Sequence, residues 1–139
     1  MIAVIRISGL VGVPSRIRET LNRLGLRRKY SAVLLPPTTE IIKLLKKIRN
    51  YVSFGSINKE TLIELIKKRG RPLKSGTKID AEKTASQLDK KNLKDLGLKP
   101  FFRLHPPRKR IESKKHFGVG KGVLGDNKEK INDLLRRML

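Results

Sequence analysis

The stretch "IAVIRISGLVGVPSRIRETLNRLGLRRKYSAVLLP", from Ile2 to Pro36, carries the strongest local signals for the fold of this chain. Its first six residues are rich in β-branched side chains and mostly apolar on both faces, which predicts a strand in the middle of a sheet. A glycine-containing loop follows, and a helix is predicted to begin near Ser15. Gly25 is well placed to end that helix in the left-handed conformation. The segment Tyr30–Pro36 then predicts a second strand.

The next residues repeat the alternation of helix and strand. Thr38 or Thr39 can cap a second helix, and apolar residues recur along it at the spacing of one helix face. Tyr51–Ile57 alternates in polarity and predicts a third strand. We therefore predict an α+β fold whose core domain, residues 1–57, runs β-α-β-α-β. Parallel and mixed pairing both suit this order, and both helices should pack on one face of the sheet.

Residues 58–139 read as an extension of that core. We predict a helix over 58–69 with Asn58 as its cap, followed by a basic loop and a short helix over 70–99. A basic extended segment over 100–125 and a C-terminal helix over 126–138, capped by Asp126, complete the chain. The pattern LxxLGL occurs at Leu93–Leu98 as well as at Leu21–Leu26, which indicates the same way of ending a helix.

Positive charge is the dominant property of the chain. Of 139 residues, 34 are Lys or Arg and 12 are Asp or Glu, which leaves a net charge of +22. Basic residues exceed acidic ones in residues 1–57, 58–99 and 100–139 alike, so the charge belongs to the folded parts as well as to any tail. Such a domain repels itself and gains most from a dense polyanion. Nucleic acid fits better than a membrane, because no apolar run approaches 18 residues.

Residues able to support catalysis or metal binding are few. The chain has no cysteine and only two histidines, His105 and His116, neither beside a cluster of acids. The glycine-rich segment Gly118–Gly122 lacks the spacing of a cofactor loop, and no P-loop motif occurs. Paired acids for a metal-dependent nuclease could be Asp80 with Glu82, or Asp89 with Asp95. Helix capping explains the same positions, so we expect no catalytic residue, cofactor or metal.

Basic residues around the first helix are the positive signal for function. They are Arg16, Arg18, Arg23, Arg27, Arg28 and Lys29. Cations that neutralise phosphates release counterions, and this release drives binding. No helix-turn-helix, zinc finger or aromatic RNA-binding strand is evident, and aromatic residues are scarce, so base stacking should be a minor mode. Backbone and shape contacts suit folded RNA, and they also suit architectural DNA binding.

The segment Val4–Ile41 resembles the large-subunit ribosomal protein L-thirty family. The features that carry the resemblance are Arg6 in the first strand, Gly9 and Gly12 in the loop, and the run from Arg18 through Arg28. This match covers residues 1–57. The segments "FFRLHPPR" at Phe101–Arg108 and "GDNKEKINDLLRRM" at Gly125–Met138 resemble the longer archaeal members and their eukaryotic counterpart, the L-seven proteins.

The resemblance implies a three-stranded antiparallel sheet with two helices on one face, somewhat ferredoxin-like, plus an extension. It implies a cytoplasmic structural constituent of the large ribosomal subunit that contacts ribosomal RNA, and it leaves room for contacts with neighbouring ribosomal proteins. It implies no catalysis, no small-molecule substrate, no membrane and no required self-oligomer. The RNA-binding residues that we expect on this basis are Arg6, Ser8, Gly9, Gly12, Arg16, Arg27, Arg28, Lys29, Arg69, Arg71, Lys74, Arg103, His105, Arg108, Lys109, Arg110, Lys114, Lys115, His116 and Lys121.

Overall fold

A computed structural model describes residues 1–9, 11–74, 80–88, 96–108, 111–120 and 122–139, with the side chains of residues 112–114 excepted. Its strands are β1 (Ile2–Arg6), β2 (Ser31–Leu35), β3 (Val52–Ser56), β4 (Phe102–Arg103), β5 (Glu112–His116) and β6 (Gly122–Asp126). Its α-helices are α1 (Ser15–Arg23), α2 (Thr39–Ile48), α3 (Lys59–Arg69), α4 (Ala81–Gln87) and α5 (Ile131–Met138), the last preceded by a 3₁₀ turn at Lys128–Lys130. The α+β class and the β-α-β-α-β start are confirmed.

The sheet is larger than predicted. Across the residues that the structure describes it has six strands in the order β4-β2-β1-β3-β6-β5, so the prediction of a three-stranded antiparallel sheet is wrong. The central strand β1 pairs antiparallel with both β2 and β3, as an apolar strand between two neighbours should. β4 adds to β2 antiparallel, whereas β6 adds to β3 in parallel, which makes the sheet mixed.

The sequences of β4, β5 and β6 contain little that predicts a strand. β4 is two residues long, β5 reads "ESKKH", and β6 reads "GVLGD" with two glycines. None of them has the alternating apolar pattern by which a half-buried strand is recognised. β4 and β6 join the sheet because β2 and β3 each present an unpaired edge whose N–H and C=O groups need partners, and β5 then pairs with β6.

Each face of the sheet carries its own apolar core. Alternate residues of β1 point to opposite faces, as the period of a strand requires. Ile2 and Val4 contact the first core, where α1 and α2 contribute Leu21, Leu45 and Ile48. The packing of both helices on one face is therefore confirmed.

The second core lies on the opposite face and is built largely from residues beyond 57. Ala3, Ile5 and Ile7 pack there against apolar side chains of α3, α4 and α5. Gly55 of β3 is required at this junction, because a Cβ at that position would collide with the backbone oxygen of Lys128 and with Ile131. The extension thus covers the sheet face that α1 and α2 leave open.

The helix ends follow the local chemistry in most places. Gly25 has φ +88°, and the Leu26 N–H donates to the Leu21 carbonyl at 2.8 Å, which closes α1. Thr38, Asn58 and Asp80 each cap a helix through a side-chain oxygen. The predicted cap of the C-terminal helix is wrong. Asp126 ends β6 and accepts the Lys128 N–H, and the α-helix begins only at Ile131.

Candidate nucleic-acid interface

A basic groove runs along one side of the molecule, from the end of α1 past β4 to the end of α3. Its first part is a cavity of about 620 Å³ between the end of α1 and the segment that enters β4. The cations that line it are Arg23, Arg27, Arg28 and Arg103. Phe101 lies in the same wall and is half-buried.

Two smaller cavities continue the groove. One of about 250 Å³ is lined by Arg71, Lys99, Phe101 and Arg103, so it shares two residues with the first. The next, of about 410 Å³, shares Arg71 and Lys99 and adds Lys68 and Arg69 at the end of α3. We define the basic groove by its eight cations, which are Arg23, Arg27, Arg28, Lys68, Arg69, Arg71, Lys99 and Arg103.

The described lining of this groove is free of acidic residues, since none of the described residues that line its three cavities is Asp or Glu. At its margin Arg23 meets the carboxylate of Glu19 one helical turn back, at 2.6 Å, with both side chains largely exposed. Exposed ion pairs of this kind are worth about 1 kcal/mol or less. The groove therefore keeps a strong positive potential that an anion can use.

The end of α1 places Arg27 and Arg28 in the groove. The left-handed Gly25 turns the chain out of the helix, and Leu26 returns as a fully buried anchor in the first core. The Arg28 carbonyl then accepts the Ser31 N–H at 3.2 Å, which leads the chain into β2. Both arginine side chains are exposed as a result.

Arg6 lies inside the fold where the loop after β1 meets the end of α1, and we call this region the corner around Arg6. Its side chain is 0% exposed, and the guanidinium donates to the carbonyls of Ser8 at 2.9 Å, Gly9 at 3.2 Å and Leu26 at 2.8 Å. Burial lowers the pKa of Arg6, and the positive charge of nearby Arg18 lowers the pKa further. A cation with these partners joins the loop after β1 to the end of α1, so we interpret Arg6 as a positioning residue rather than a direct RNA contact.

The opposite wall of the groove is set by strand pairing. Phe102 is 1% exposed and points into the second core. Its neighbours in the extended chain, Phe101 and Arg103, therefore point to the opposite side of the strand. Further along, the Lys99 N–H donates to the Arg71 carbonyl at 2.8 Å, and the Leu73 N–H donates to the Gly97 carbonyl at 2.9 Å. These bonds place Arg71 beside Lys99.

The structure brings together five of the residues expected to bind RNA. Arg27, Arg28, Arg69, Arg71 and Arg103 all lie in the basic groove. Lys29 adjoins them, with its ammonium 5.1 Å from the centre of the Tyr30 ring.

A second group lies at the loop after β1. The Ser8 and Gly9 carbonyls accept bonds from Arg6, and Gly12 is exposed with φ +77°. Arg16 is exposed in the first turn of α1. These four residues line none of the three cavities of the groove.

The remaining expected residues are dispersed. His105 is bound to the end of the chain, with Nε2 at 2.9 Å from the Leu139 oxygen, and Arg108 is exposed beside Arg137. Lys74, Lys115 and His116 are exposed elsewhere. Lys109, Arg110 and Lys121 lie outside the described residues, as does the side chain of Lys114.

Three groove cations and one aromatic residue were absent from the expected RNA-binding residues, namely Arg23, Lys68, Lys99 and Phe101, and the last two lie close together in the chain. Both belong to the segment "KPFFRL", where Lys99, Phe101 and Arg103 alternate with residues of the other face. That period of two was the available signal. It was obscured because β4 is so short that the segment reads as irregular.

The candidates for other chemistry have structural roles where they are described. Asp80 accepts the Lys83 N–H at 3.3 Å as the cap of α4, and Glu82 is exposed in the first turn of that helix. Asp89 and Asp95 fall outside the described residues. In the described ranges, no three His, Asp or Glu side chains are grouped as metal ligands, and no helix has the length and apolarity to cross a membrane.

Comparison with known proteins identifies relatives over the whole chain. The model of the family described as ribosomal protein L30p/L7e matches residues 2–52. A large ribosomal subunit protein uL30 from Methanococcus maripaludis is 40% identical, and the alignment covers 99% of this chain and 98% of that protein. The proteins of the same name from Archaeoglobus fulgidus and Pyrobaculum islandicum are 40% and 38% identical, over 99% of this chain and 99% and 93% of theirs. The chain therefore belongs to the ribosomal protein L30p/L7e family, which consists of structural ribosomal proteins and not of enzymes.

Proposed function

We propose that this protein is a structural constituent of the large ribosomal subunit that binds ribosomal RNA through the basic groove. The observation that carries the proposal is the groove itself, in which eight cations line three cavities that share lining residues, without a described acidic residue. The relatives named for the large ribosomal subunit support the assignment of the RNA.

The groove would act on the phosphates of the RNA. Exposed arginines can bind a phosphate through two parallel N–H donors, and lysine contributes a point charge. Each neutralised phosphate releases condensed counterions, so the affinity should fall steeply as salt concentration rises. The contribution to the subunit is to hold RNA segments together by charge and shape.

Both parts of the chain are needed for this surface. Residues 22–31 form one wall of the first cavity, and residues 100–103 form the other. The division into a core domain, residues 1–57, and an extension, residues 58–139, stays a prediction. Under the present proposal the extension serves to complete the RNA site that the core begins.

The proposal also includes the expected RNA-binding residues that lie outside the groove. The exposed Gly12 and Arg16 near the loop after β1, and Lys115 and His116 on β5, would meet RNA outside the groove, or neighbouring ribosomal proteins. Arg108 and Lys74 would extend the surface in the same way.

The test is RNA binding at several salt concentrations. We expect tight binding to a transcript of the large-subunit RNA and weaker binding to duplex DNA at matched salt. Replacing Arg27 and Arg28 by glutamine should reduce the slope of log affinity against log salt by roughly one to two units. Filter binding or fluorescence anisotropy would measure both effects.

The matched control removes two charges from α2. Lys43 and Lys47 are exposed and lie outside the groove, so Lys43→Gln with Lys47→Gln should leave the slope close to that of the wild type. Equal losses from both pairs would contradict the groove as the binding site. Preference for duplex DNA, or absence of the protein from the large-subunit peak of a lysate gradient, would contradict the ribosomal role.

A further inference from the structure

Phe101 occupies an unusual position for one of the few aromatic residues of the chain. It lines both the first and the second cavity of the basic groove and is half-buried, while the adjacent Phe102 is fully inside the second core. Part of the Phe101 ring packs against the first core, which holds the ring in place. Its remaining surface lines the groove.

Cations flank this ring on both sides. The guanidinium carbon of Arg103 lies 5.6 Å from the centre of the Phe101 ring, within the range of a cation–π contact. Arg27 and Arg28 line the first cavity with the ring, and Arg71 and Lys99 line the second. A flat apolar surface beside two groups of cations suits a nucleotide, because each nucleotide joins a flat base to a charged phosphate.

We propose that Phe101 and Arg103 form a stacking platform for the base of an unpaired nucleotide in the RNA that occupies the groove. This inference rests on the proposed function and adds to it the kind of RNA element that is bound. Bases that are splayed out of a helix stack on aromatic rings and on guanidinium planes, and both are present here.

The geometry favours a single unpaired base over a paired one. A base in a duplex already stacks on its neighbours, so its face is not available to a ring on the protein. The cavity of about 620 Å³ beside Phe101 falls in the range of sites that enclose small organic groups, roughly 300–1,000 Å³. The platform would therefore recognise a bulge, loop or junction in the RNA.

The first test compares two substitutions at one position. Phe101→Leu keeps an apolar side chain against the first core but removes the ring, whereas Phe101→Tyr keeps the ring. We expect Phe101→Leu to weaken binding to a large-subunit RNA transcript by roughly five- to a hundred-fold, the range for loss of one stacked base. Phe101→Tyr should bind within about twofold of the wild type.

The salt dependence separates stacking from charge. Because Phe101 is neutral, Phe101→Leu should leave the salt slope unchanged, whereas Arg103→Gln should lower the slope by roughly 0.7 to 0.9. Thermal unfolding of each variant confirms that the comparison is made on folded protein. Equal affinity of the leucine and tyrosine variants for the RNA would overturn the platform.

The second test uses the absence of tryptophan from the chain. Phe101→Trp makes this position the sole tryptophan, and its fluorescence should be quenched and shielded from iodide on binding the transcript. A fully paired RNA duplex should cause much less quenching. Ile42→Trp, on the exposed part of α2, serves as the control that reports RNA binding without stacking.

The outcomes distinguish this inference from the proposed function. If the wild type binds the transcript with the expected salt slope but the Phe101→Trp variant is quenched no more than the Ile42→Trp variant, the platform is wrong and the groove remains. If the wild type does not prefer the transcript to duplex DNA, the proposed function itself fails. Strong quenching of Phe101→Trp by the transcript, combined with loss of affinity in Phe101→Leu, supports the platform.

Discussion

The buried corner around Arg6 and the exposed basic groove use the same side chain in opposite ways. Arg6 is enclosed, and its guanidinium donates to three backbone carbonyls. Arg27 and Arg28 begin one residue beyond the carbonyl that Arg6 binds, yet both side chains are exposed in the groove. A guanidinium that the fold encloses completely is out of reach of a phosphate in solution.

A chain with a net charge of +22 thus has two kinds of cation, buried ones that stabilise the fold and exposed ones that are available for binding. Burying a cation carries a desolvation cost, which three charge-assisted hydrogen bonds offset. The exposed cations carry no such cost, but they repel one another until a polyanion arrives. Removing a cation should therefore reduce stability at the corner and RNA affinity in the groove.

Arg6→Ala should give the largest effect in this comparison. It leaves three carbonyls without their donor and opens a cavity, so we expect the free energy of unfolding to fall by about 3 kcal/mol. Chemical denaturation would measure the loss. Below the unfolding transition, the salt slope of RNA binding should stay at the wild-type value.

The control for Arg6 is Arg18→Ala. Arg18 is exposed, and its charge lowers the pKa of Arg6. Its removal relieves a repulsion, so stability should change by about 0.5 kcal/mol or less, in the stabilising direction. A normal stability for Arg6→Ala, with a salt slope reduced by about one unit, would instead make Arg6 a phosphate contact.

The double variant Arg71→Gln with Lys99→Gln tests the far part of the groove. We expect binding to the large-subunit transcript to weaken roughly tenfold and the salt slope to fall by about one to two units, with an unchanged melting temperature. Anisotropy titrations combined with thermal unfolding measure these quantities. Combining this pair with Arg27→Gln and Arg28→Gln should add the two slope changes if one RNA follows the whole groove. A slope no lower than that of the single pairs would mean that the cavities act separately.

Gly25→Ala tests the turn that joins the corner to the groove. Gly25 has φ +88°, which an L-residue adopts only at a cost, so stability should fall by about 1 kcal/mol. Gly9→Ala is the matched control, because a Cβ there meets nothing within 4 Å and its φ is not in the left-handed range. Thermal or chemical denaturation compares them. Equal losses for the two alanines would remove the special role of Gly25.

Arg136→Gln should give the smallest effect. Arg136 lies on α5 within 3.9 Å of Glu60 and 3.8 Å of Glu64, and all three side chains are substantially exposed. Such pairs contribute little, so we expect a change in stability of about 0.5 kcal/mol or less and normal RNA affinity. Denaturation and anisotropy titrations check both. A tenfold loss of affinity would show that cations outside the groove bind RNA as strongly as those within it.

Much of the first 57 residues could be predicted from sequence. The local signals are the apolar run along β1, the caps at Thr38 and Asn58 and the left-handed turn at Gly25, and each is present in the structure. The full sheet could not be predicted in this way. β4 and β6 are too short or too rich in glycine to show a period, and they become strands only because β2 and β3 offer them edges.

The candidate site divides in the same manner. The basic segments at Arg27–Lys29 and Arg69–Arg71 stand out in the sequence, whereas the signal for Lys99 and Phe101 was a period of two along a very short strand. Arg6 shows the converse, because its residue type suggests an RNA contact but its position inside the fold gives it a structural role.

The positive charge, the β-α-β-α-β start and the family can be read from the sequence without a structure. They depend on composition, on local periodicity and on sequence similarity along the chain. Which cations lie together in the basic groove depends on the tertiary structure. Residues 22–31 and 99–103 are far apart in the chain and meet because β4 pairs with β2. The pairing of Arg71 with Lys99 completes the groove. Contacts of this kind depend on which sheet edge is open, and no local pattern of residues encodes that.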